Sequence, residues 1–555
     1  MKPLASTEIQ TILSDLADGA RRLVQLSIGE RRQLLHKCIE RIGRSSTERW
    51  LEAAWQAKQI PPGDGARAED ITTGPFPTIR YIRLMDKTLD DIERHGTPQL
   101  PGTPCKSNGR VHVPVFPTPH LFDRLLFGPI KAHVRMPRGV ERDGLFGTTI
   151  RRVTETAGDA PSVALVLGAG NVSSIPITDA FTKIFQENQA VVLKMNPVNA
   201  YVGPVFEEIF QPLTAAGFLR VVYGDAELGA NLIAAPEVGR VHITGSDRTH
   251  DAIVWGATED ERMERKQDNS PLLHKPITSE LGNVSPWIIV PGSYSNRQLR
   301  FQAENIAASI TNNASFNCIA TKMLITQKDW PQRELFVGMI DEILAKIPRR
   351  YAYYPGSADR FVRFAEKQPD DSERLPWTLR RDVKIESEPR LFEEESFVCV
   401  CGETTIASDS ADEFLSNAID FVNQKMWGTL SAALTVPDSL RKSSSLDQAI
   451  DRLNYGVVGV NQWPGVVFAL MSTPWGAFPG STLQDIQSGI GTVHNTYLLD
   501  SPEKTVISSP LTIFPKPVWF STHKRPVPVA HHLLRLYLNP GVLRLPPILL
   551  NAAVG

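Results

Sequence analysis

Alternating apolar and amphipathic segments between residues 162 and 246 constrain the fold of this chain more than any other feature. Four strand-like runs lie at Val163–Leu167, Ala190–Lys194, Leu219–Gly224 and Arg240–Ser246, and a helix-like segment follows each of the first three. Short apolar strands that alternate with helices are typical of parallel sheets covered on both faces. The pattern therefore predicts an α/β fold with a parallel sheet.

Polar and glycine residues stand where these strands end. Asn171 follows the first strand, Lys194 and Gly224 end the second and third, and Gly245–Ser246 ends the fourth. Ligands of open α/β sheets bind in the crevice outside the carboxyl ends of the strands. We therefore expect these residues to share one edge and to contact a ligand there.

The turn after the first strand is only partly similar to a dinucleotide fingerprint. Gly168 and Gly170 have the required spacing, but Ser173–Ser174 stands where the third glycine belongs. The turn therefore either approaches a pyrophosphate or presents the side chain of Asn171.

A second α/β pattern follows, and it contains a candidate nucleophile. Cys318 lies between a helix-like run, Leu299–Ile310, and a strand-like run, Met323–Ile325. A thiol at such a junction can act as a nucleophile, but free cysteine is also among the most buried residue types. Taken alone, Cys318 favours a structural role.

Composition excludes several classes of protein. The chain has 555 residues and a formal net charge of −2, so no overall basic field indicates nucleic acid. Five cysteines are too few for a disulfide framework and suit a reducing compartment. The start, residues 1–6, lacks the apolar core of a signal peptide, and Cys399 and Cys401 lack nearby partners for a metal. We expect a cytoplasmic protein without a metal site.

Further elements are predicted from capping signals and helical spacing. A solvated insertion is expected over residues 257–275, because it is dense in charge. The remaining predicted helices and one hairpin strand are Ser6–Leu26, Ser27–Ile42, Ser46–Gln59, Tyr81–His95, Ile177–Glu187, Val205–Ala216 and the strand Ile130–Met136.

Several motifs in one order resemble the aldehyde dehydrogenase superfamily. Asn171 and Lys194 have the spacing that this family uses between its active-site Asn and its ribose-binding Lys. The resemblance covers residues 160–500 well and residues 20–60 loosely. The motifs are Gly170–Asn171, Val191–Lys194, Ile243–Ser246, Glu280–Pro286, Cys318, Glu394–Phe397, Asn423–Thr435, Gly459–Asn461 and Pro474–Gly480.

The resemblance implies NAD(P)-dependent oxidation of a small-molecule aldehyde to a carboxylic acid. Cys318 would attack the carbonyl and form a thiohemiacetal and then a thioester. Asn171 and the backbone N–H of Cys318 would stabilise the oxyanion, and Glu280 would activate water. Without the family, Asn171 could equally form a turn and Glu280 could cap a strand.

The resemblance also implies the cofactor contacts. Lys194 and Glu395 would bind ribose hydroxyls, and Gly245–Ser246 would contact the pyrophosphate at a helix N-terminus. Gly224 and Phe397 belong to the same predicted cofactor set. The structural alternatives are that Lys194 is a cation at the end of a strand without a ligand, and that Glu395 is one of three exposed acidic residues.

One position bears on the choice of cofactor. Three residues beyond Lys194, members that prefer NAD often carry Glu, and here the position is Pro197. We therefore expect NAD or NADP, with NADP tolerated or preferred.

Departures from the family pattern keep other functions open. Ser315–Asn317 replaces the usual Gly-Gln segment before the cysteine, and Ala180 replaces a helical lysine. These changes leave a CoA-dependent acylating enzyme of the same superfamily as one alternative, and a non-catalytic assembly or binding protein as another. Phe316, Trp427, Trp463 and Phe468 are candidates for an apolar entrance.

The resemblance divides the chain into four parts. They are N-terminal helices with the cofactor domain (1–279), a catalytic domain (280–490), oligomerisation strands (491–525) and an apolar C-terminal arm (526–555). The strands are predicted at Lys504–Ile507 and Leu511–Phe514, and they indicate a homodimer or tetramer. Packing of the arm on a neighbour or on the body is favoured over contact with a membrane surface.

Overall fold

The computed structural model describes residues 6–154 and 160–555. Residues 1–5, at the start where no signal peptide is expected, lie outside the described residues. The strands are β1 Cys105–Ser107, β2 Arg110–Phe116, β3 Lys131–Arg135, β4 Ser162–Leu167, β5 Gln189–Met195, β6 Leu219–Tyr223, β7 Val238–Thr244, β8 Ile277–Glu280, β9 Ser285–Ile289, β10 Thr321–Gln327, β11 Thr378–Arg380, β12 Val400–Ile406, β13 Ser431–Thr435, β14 Val457–Val460, β15 Trp475–Gly476, β16 Gly489–Ile490, β17 Thr492–Val493 and β18 Lys504–Ser508.

The α-helices cover the faces of the sheets and form the N-terminal and C-terminal segments. They are α1 Ser6–Leu23, α2 Ile28–Arg41, α3 Arg44–Ala57, α4 Arg67–Thr73, α5 Pro75–His95, α6 Leu121–Phe127, α7 Gly147–Thr154, α8 Ile175–Phe181, α9 Gly203–Ile209, α10 Gln211–Ala215, α11 Ala226–Ala234, α12 Asp247–Trp255, α13 Glu259–Gln267, α14 Asn296–Thr311, α15 Arg333–Lys346, α16 Ser357–Ala365, α17 Arg390–Glu393, α18 Ala411–Lys425, α19 Ser444–Arg452, α20 Gly465–Leu470, α21 Pro526–Leu538 and α22 Leu545–Ala553.

The first sheet contains the four strands that the apolar runs predict. Its order is β16-β8-β7-β4-β5-β6, and β4 to β8 pair in parallel while β16 joins antiparallel. Strands β4 and β5 are buried on both faces, which explains their continuous apolar sequence. The predicted α/β fold with a parallel sheet is confirmed.

The second sheet corrects the predicted division into domains. Its order in the described part is β1-β2-β3-β18-β14-β13-β9-β10-β12-β11, parallel from β18 to β11 and antiparallel from β1 to β18. Strands β1 to β3 come from residues 105–135, inside the predicted first domain. The boundary expected at 279/280 also falls within β8, so Glu280 belongs to the first sheet. The hairpin of β2 and β3 agrees with the strand predicted at Ile130–Met136.

The C-terminal tail contains one strand where two are predicted. β18 lies between β3 and β14 of its own chain, so both of its edges are paired. The strand predicted at Leu511–Phe514 is wrong, since these residues form bends and loop. Pro510 and Pro515 flank them and cannot donate backbone hydrogen bonds to a ladder.

Prolines also explain two differences among the helices. The helix predicted from Tyr81 begins at Pro75, because proline fits the first turn, where the N–H has no helical partner. The helix predicted over Val205–Ala216 is split between α9 and α10 beside Pro212. The helix predicted over Ile177–Glu187 consists of α8 and a π-helical turn, Thr182–Gln186.

The C-terminal arm packs on the body through α21. Leu533 and Leu536 are buried, and the Arg83 guanidinium donates to the carbonyl oxygens of Tyr537 (2.6 Å) and Leu538 (2.7 Å). Helix α21 contacts α4 and α5, as the favoured prediction expects. The following α22 buries only Ile548.

Two further properties of the helices bear on predictions. α13, within the predicted solvated insertion, has no buried residue. Within residues 6–154 and 160–555, every helix is too short or too polar to cross a membrane.

Candidate active site

Two cavities meet at the three residues that the sequence nominates for catalysis. Cys318, Glu280 and Asn171 line both cavities. One cavity is a cleft of about 1260 Å³ at the carboxyl ends of the first sheet, and the other is a narrow tunnel of about 80 Å³. The predicted nucleophile, base and oxyanion donor therefore lie together at the junction.

Cys318 is held at this junction by an unusual turn. Helix α14 ends at Thr311, and a 3₁₀ turn, Asn312–Ser315, precedes the cysteine. Within it Asn313, Ala314 and Ser315 have φ of 53°, 55° and 68°. Left-handed backbone costs non-glycine residues about 1 kcal/mol or more each, so surrounding contacts must hold the turn.

The side chain of Asn313 provides most of those contacts. Its Nδ2 donates to the carbonyl oxygens of Asn171 (2.9 Å) and Phe316 (2.9 Å). Its Oδ1 accepts from Lys58 Nζ (2.9 Å) and the Tyr353 hydroxyl (3.1 Å). One buried amide thus joins the cysteine turn to the turn that carries Asn171.

A buried ionic network from the N-terminal helices supports Asn313. Lys58 Nζ lies 2.5 Å from Asp70 Oδ1, and both side chains are buried. Glu69 Oε2 accepts from the backbone N–H of Asn313 (2.8 Å), and Glu69 pairs with Arg350. Sequence reasoning missed this network, because Lys58, Glu69 and Asp70 lie more than 200 residues from Cys318 and form no motif.

Glu280 stands within reach of the Cys318 thiol. The thiol donates to Glu280 Oε1 at a Sγ–O distance of 3.5 Å. Burial raises the pKa of Glu280 to about 8, and the charge of Asp179 acts in the same direction, while Trp475 and Cys318 oppose it. Burial, then the charge of Glu280, raises the pKa of Cys318 well above its ordinary value. The pair is suited to pass a proton from sulfur to carboxylate once Glu280 is ionised.

A buried polar layer lies beneath Glu280. Glu280 on β8 and Thr244 on β7 are direct partners in the parallel ladder. The Thr244 hydroxyl donates to Asp179 Oδ2 (2.8 Å), and His242 Nε2 lies 3.4 Å from the same oxygen. His242 Nδ1 is 2.9 Å from the Thr278 hydroxyl. Asp179 therefore tunes Glu280, and no sequence motif indicates this role.

The turn after β4 presents the side chain of Asn171, as one of the two interpretations predicts. Its Nδ2 donates one hydrogen bond to the Phe316 carbonyl oxygen (3.2 Å). An amide carries two N–H groups, so the second can donate into the junction. Gly170 permits the turn, because a Cβ there would lie 2.7 Å from Asn196 Oδ1.

Most of the predicted cofactor residues line the cleft, but Gly224 does not. A Cβ at Gly224 would lie 2.6 Å from Leu228 Cδ2, so this glycine allows the tight entry into α11, and it stands outside the lining of the cleft. The neighbouring Asp225 and Ala226 line the cleft instead. The predicted residues that do line it are Lys194, Gly245, Ser246, Glu395 and Phe397.

Lys194 and Ser246 define two parts of the cleft. The stem of Lys194 passes over α11, where a Cβ at Gly229 would lie 3.6 Å from Lys194 Cε. Burial lowers the pKa of Lys194, and the carboxylate of Asp225 acts in the opposite direction. The Ser246 hydroxyl accepts from the Thr249 N–H (3.1 Å) and caps α12, whose N-terminus faces the cleft.

Glu395 is half-buried and its Oε1 is shielded from solvent, so its alternative interpretation as an exposed acid is wrong. Burial raises its pKa to about 8, and the ammonium of Lys322 opposes this shift. Its Oε1 has no hydrogen-bond partner among the described residues. Lys322 Nζ in turn donates to Ser315 Oγ (2.9 Å) and to the Val398 carbonyl oxygen (2.9 Å), which fixes the cysteine turn from the other side.

Three arginines that sequence reasoning missed line the cleft. Arg248 and Arg363 both pair with Glu394. The Arg360 guanidinium lies over the Tyr354 ring at 5.9 Å, and its Nε and Nη2 have no hydrogen-bond partner among residues 6–154 and 160–555. The cleft therefore offers an unpaired cation to an anionic ligand.

The tunnel is lined mainly by apolar side chains, with polar residues at Thr72, Thr73, Asn312 and Asn317 and at the junction. Besides Glu280, its charged residue is Arg80, which Asp123 neutralises through two bonds of 2.7 and 3.0 Å. Trp463 and Phe468 line the tunnel as predicted. The apolar lining otherwise comprises Phe76, Phe127, Val172, Ile175, Ile319, Val466, Ala469, Leu470, Trp475, Val518, Trp519 and Leu533.

Two of the aromatic residues predicted at an apolar entrance lie elsewhere. Phe316 packs behind the cysteine turn against Tyr353 and Phe397, at centroid distances of 5.0 and 5.9 Å. Trp427 lines the cleft rather than the tunnel. These two predictions are corrected, because position along the chain does not report which face of a turn a ring occupies.

Comparison with known proteins supports the family that the motifs indicate. Residues 174–348, which include Lys194, Glu280 and Cys318, match the profile of the aldehyde dehydrogenase family. This segment of the chain is an aldehyde dehydrogenase match. No curated protein sequence matches the chain. The match supports an oxidoreductase and agrees with the resemblance that the motifs indicate.

Solved structures share the aldehyde dehydrogenase fold over nearly the whole chain. The substrate-bound state of Staphylococcus aureus AldH is 17% identical, with 93% of this chain and 97% of that chain covered and a TM-score of 0.59. Glyceraldehyde-3-phosphate dehydrogenase GapN from Methanocaldococcus jannaschii, complexed with NADP, is 14% identical over 92% and 96%, with a TM-score of 0.59. The NADP-dependent enzyme from Bacillus halodurans C-125 is 17% identical over 92% and 92%, with a TM-score of 0.58. At these identities the likeness shows the fold.

Proposed function

We propose that this aldehyde dehydrogenase homologue oxidises an apolar aldehyde to a carboxylic acid with NAD or NADP, through a thioester on Cys318. The observation that supports this most is the position of Cys318, Glu280 and Asn171 where the tunnel and the cleft join. An aldehyde in the tunnel and a dinucleotide in the cleft would then meet at the thiol. The almost uncharged tunnel favours a hydrocarbon side chain on the aldehyde.

The cleft fits a nicotinamide dinucleotide. Lys194 would bind ribose hydroxyls, the N–H groups of Gly245–Ser246 would face the pyrophosphate, and the unpartnered Oε1 of Glu395 would accept from a ribose hydroxyl. Arg360 adds an unpaired cation for phosphate. When bound, the nicotinamide supplies the acceptor for the hydride that leaves the aldehyde carbon.

The side chains at the junction account for the acid–base and electrostatic work. Glu280 takes the proton of Cys318, and the thiolate attacks the carbonyl carbon. The free N–H of Asn171 and the backbone N–H of Cys318 donate to the oxyanion, each donor contributing about 3 kcal/mol. After hydride has left the carbonyl carbon and the acyl group is a thioester on Cys318, Glu280 releases its proton to solvent. The ionised carboxylate then takes a proton from the water that attacks the thioester. The C–S bond breaks, the carboxylic acid leaves, and the electron pair of that bond returns to the sulfur as the Cys318 thiolate.

The cleft does not exclude either cofactor. Pro197 lines it near Lys194, where no glutamate opposes a 2′-phosphate. Asp225 also lines it and supplies a carboxylate that the motif at position 197 does not reveal. We therefore expect dual use or a preference for NADP, and a preference for NAD above about 100-fold in kcat/KM would contradict this.

A direct assay tests the proposed function. Purified full-length chain is given aldehydes of increasing alkyl length with NAD or NADP, and the reduced cofactor is followed by absorbance, with and without CoA. We expect activity without CoA that increases with alkyl length and disappears in Cys318→Ala. A strict requirement for CoA would favour the acylating alternative, and inactivity of the folded chain toward every aldehyde would favour a non-catalytic role. A cytoplasmic location and a homodimer or tetramer stay predictions.

A further inference from the structure

Exposed apolar side chains concentrate at the C-terminus. In the described part of the chain, eleven large apolar side chains are exposed, and five of them lie within residues 542–554. Leu543 is 89% exposed and Leu550 70%, on the 3₁₀ turn Val542–Arg544 and on α22. We call this set the C-terminal patch: Val542, Leu543, Leu549, Leu550 and Val554.

Cations surround the C-terminal patch without acidic residues in the same segment. From Lys504 to Gly555 the sequence contains no Asp or Glu. Lys524, Arg525, Arg535 and Arg544 are exposed, and none forms an ion pair with a described residue. Glu48 interacts electrostatically with Arg535, but Arg44 already pairs with Glu48 at 2.6 Å. Unpaired cations beside exposed leucines are typical of helices that lie on anionic lipid.

The segment from Lys504 to Gly555 also lines part of the tunnel. Val518, Trp519 and Leu533 contribute side chains to its lining. On another side, Phe127 of α6 lines the tunnel, and α6 exposes Leu121 and Leu125 by more than half. Helix α6 therefore both lines the tunnel and presents apolar side chains to the surface, and α21, which also lines the tunnel, directly precedes the C-terminal patch.

We propose that the C-terminal patch and its flanking cations dock on an anionic lipid surface, from which the apolar aldehyde enters the tunnel. The substrate part of this inference rests on the proposed function, whereas the docking part does not. Pairing of the patch with a second copy is disfavoured, because a two-fold interface would bring the cations of both copies into one interface, and the segment supplies no acid to neutralise them. An anionic bilayer instead attracts each of these cations.

Vesicle sedimentation of the full-length chain, without aldehyde or cofactor, tests the docking. Vesicles are made of phosphatidylcholine alone or with phosphatidylserine. We expect binding to the phosphatidylserine vesicles that weakens with salt, and a loss of more than about tenfold in the double variant Leu543→Asp, Leu550→Asp, because two leucine side chains no longer enter the bilayer. The matched control is Met263→Asp on α13. Met263 is 59% exposed and lies far from the C-terminal patch in the sequence, so this variant should bind vesicles as the unchanged protein does.

Three outcomes would overturn the proposal. They are absence of binding, equal binding to both kinds of vesicle, and a double variant that binds as the unchanged protein does. In the last case, a change in the sedimentation coefficient of the free protein would identify a second copy as the occupant of the patch. Failure of the proposed function is distinguishable, because Cys318→Ala should still bind vesicles. Conversely, the double variant should still oxidise a short, water-soluble aldehyde at the unchanged rate if the proposed function holds.

Discussion

At the scale of single residues, the state of Glu280 decides how the site operates. Its carboxyl is 4% exposed, its pKa is raised to about 8, and its Oε1 receives the Cys318 thiol. Below that pH the carboxyl keeps its proton and cannot accept another. The rate should therefore increase with pH as Glu280 ionises.

Removing the charge of Asp179 should move this ionisation. Asp179 raises the pKa of Glu280 as the second cause after burial. In Asp179→Asn we expect the rising limb of kcat/KM against pH to shift by about one unit toward lower pH. The control is Glu187→Gln, a carboxylate in the same region of the chain that pairs with Lys183. An unchanged limb, or a shift toward higher pH, would contradict the role of Asp179.

The burial of Glu280 also predicts a pH-dependent cost in stability. The pKa of Glu280 is raised from 4.5 to about 8. The stability that the protonated carboxyl provides is therefore fully present below pH 4.5 and is lost as pH rises through about 8. In Glu280→Gln the amide does not titrate, so this decrease in the free energy of unfolding is absent. We expect the variant to gain stability over the unchanged protein by about 1.4 kcal/mol per pH unit within that window. Urea unfolding at pH 5 and pH 9 measures it, and an equal difference at both pH values would refute it.

Asn313→Asp tests the amide that joins the two turns of the site. The substitution preserves shape but places an oxygen against the carbonyl oxygens of Asn171 and Phe316. We expect kcat to fall at least about tenfold and the free energy of unfolding to fall by about 2–4 kcal/mol. Binding of NADP, measured by fluorescence, should change little.

Asn312→Asp is the matched control for that substitution. The Oδ1 atom of Asn312 accepts a hydrogen bond from Asn317 Nδ2 at 3.0 Å. Aspartate at position 312 keeps an oxygen there, so the variant retains this hydrogen bond. Equal losses in both variants would show that Asn313 has no special role.

At the scale of elements, the sequence predicted those strands and helix ends that neighbouring residues determine by themselves. Strands β4 to β7 were predictable because both faces are buried and their sequences are continuously apolar. The start of α2 was predictable because Ser27 and Glu30 form a capping box within four residues. The catalytic residues were predictable through motifs at the ends of these elements.

Non-local pairing explains what the sequence did not reveal. β18 was assigned to subunit contacts because nothing within it specifies that β3 and β14 of the same chain lie on either side. Asp179, Asn313 and the Lys58–Asp70 pair act through neighbours far along the chain. The place of Gly224 outside the lining of the cleft was not predictable, because a glycine at a strand end serves a tight turn and a ligand equally well.

Two truncations separate the roles of the C-terminal elements. Removing residues 541–555 deletes α22, whose sole buried residue is Ile548, so we expect cooperative thermal unfolding to persist with a small decrease in Tm. Removing residues 501–555 also deletes β18 from within the second sheet and should abolish a cooperative transition. Calorimetry distinguishes the two. A folded protein after the longer truncation would mean that β18 is not an internal strand.

At the scale of the whole molecule, both sheets and the terminal helices build the junction at Cys318. The first sheet supplies the cleft and Glu280, the turn before β10 supplies Cys318, and the N-terminal and C-terminal helices enclose the tunnel. Under the proposed function, an apolar aldehyde and a charged dinucleotide would approach the thiol through separate cavities. The acyl group on Cys318 would be the point at which both routes meet.

Trapping that acyl group tests the central claim most directly. The Glu280→Gln variant is mixed with aldehyde and NAD or NADP, quenched in acid, digested and analysed by mass spectrometry, with Cys318→Ala as the blank. Because Glu280 activates the water that cleaves the thioester, we expect the variant to accumulate the mass of the acyl group on the peptide that contains Cys318. Reduced cofactor without an adduct on Cys318, or an adduct on a different cysteine, would contradict the account.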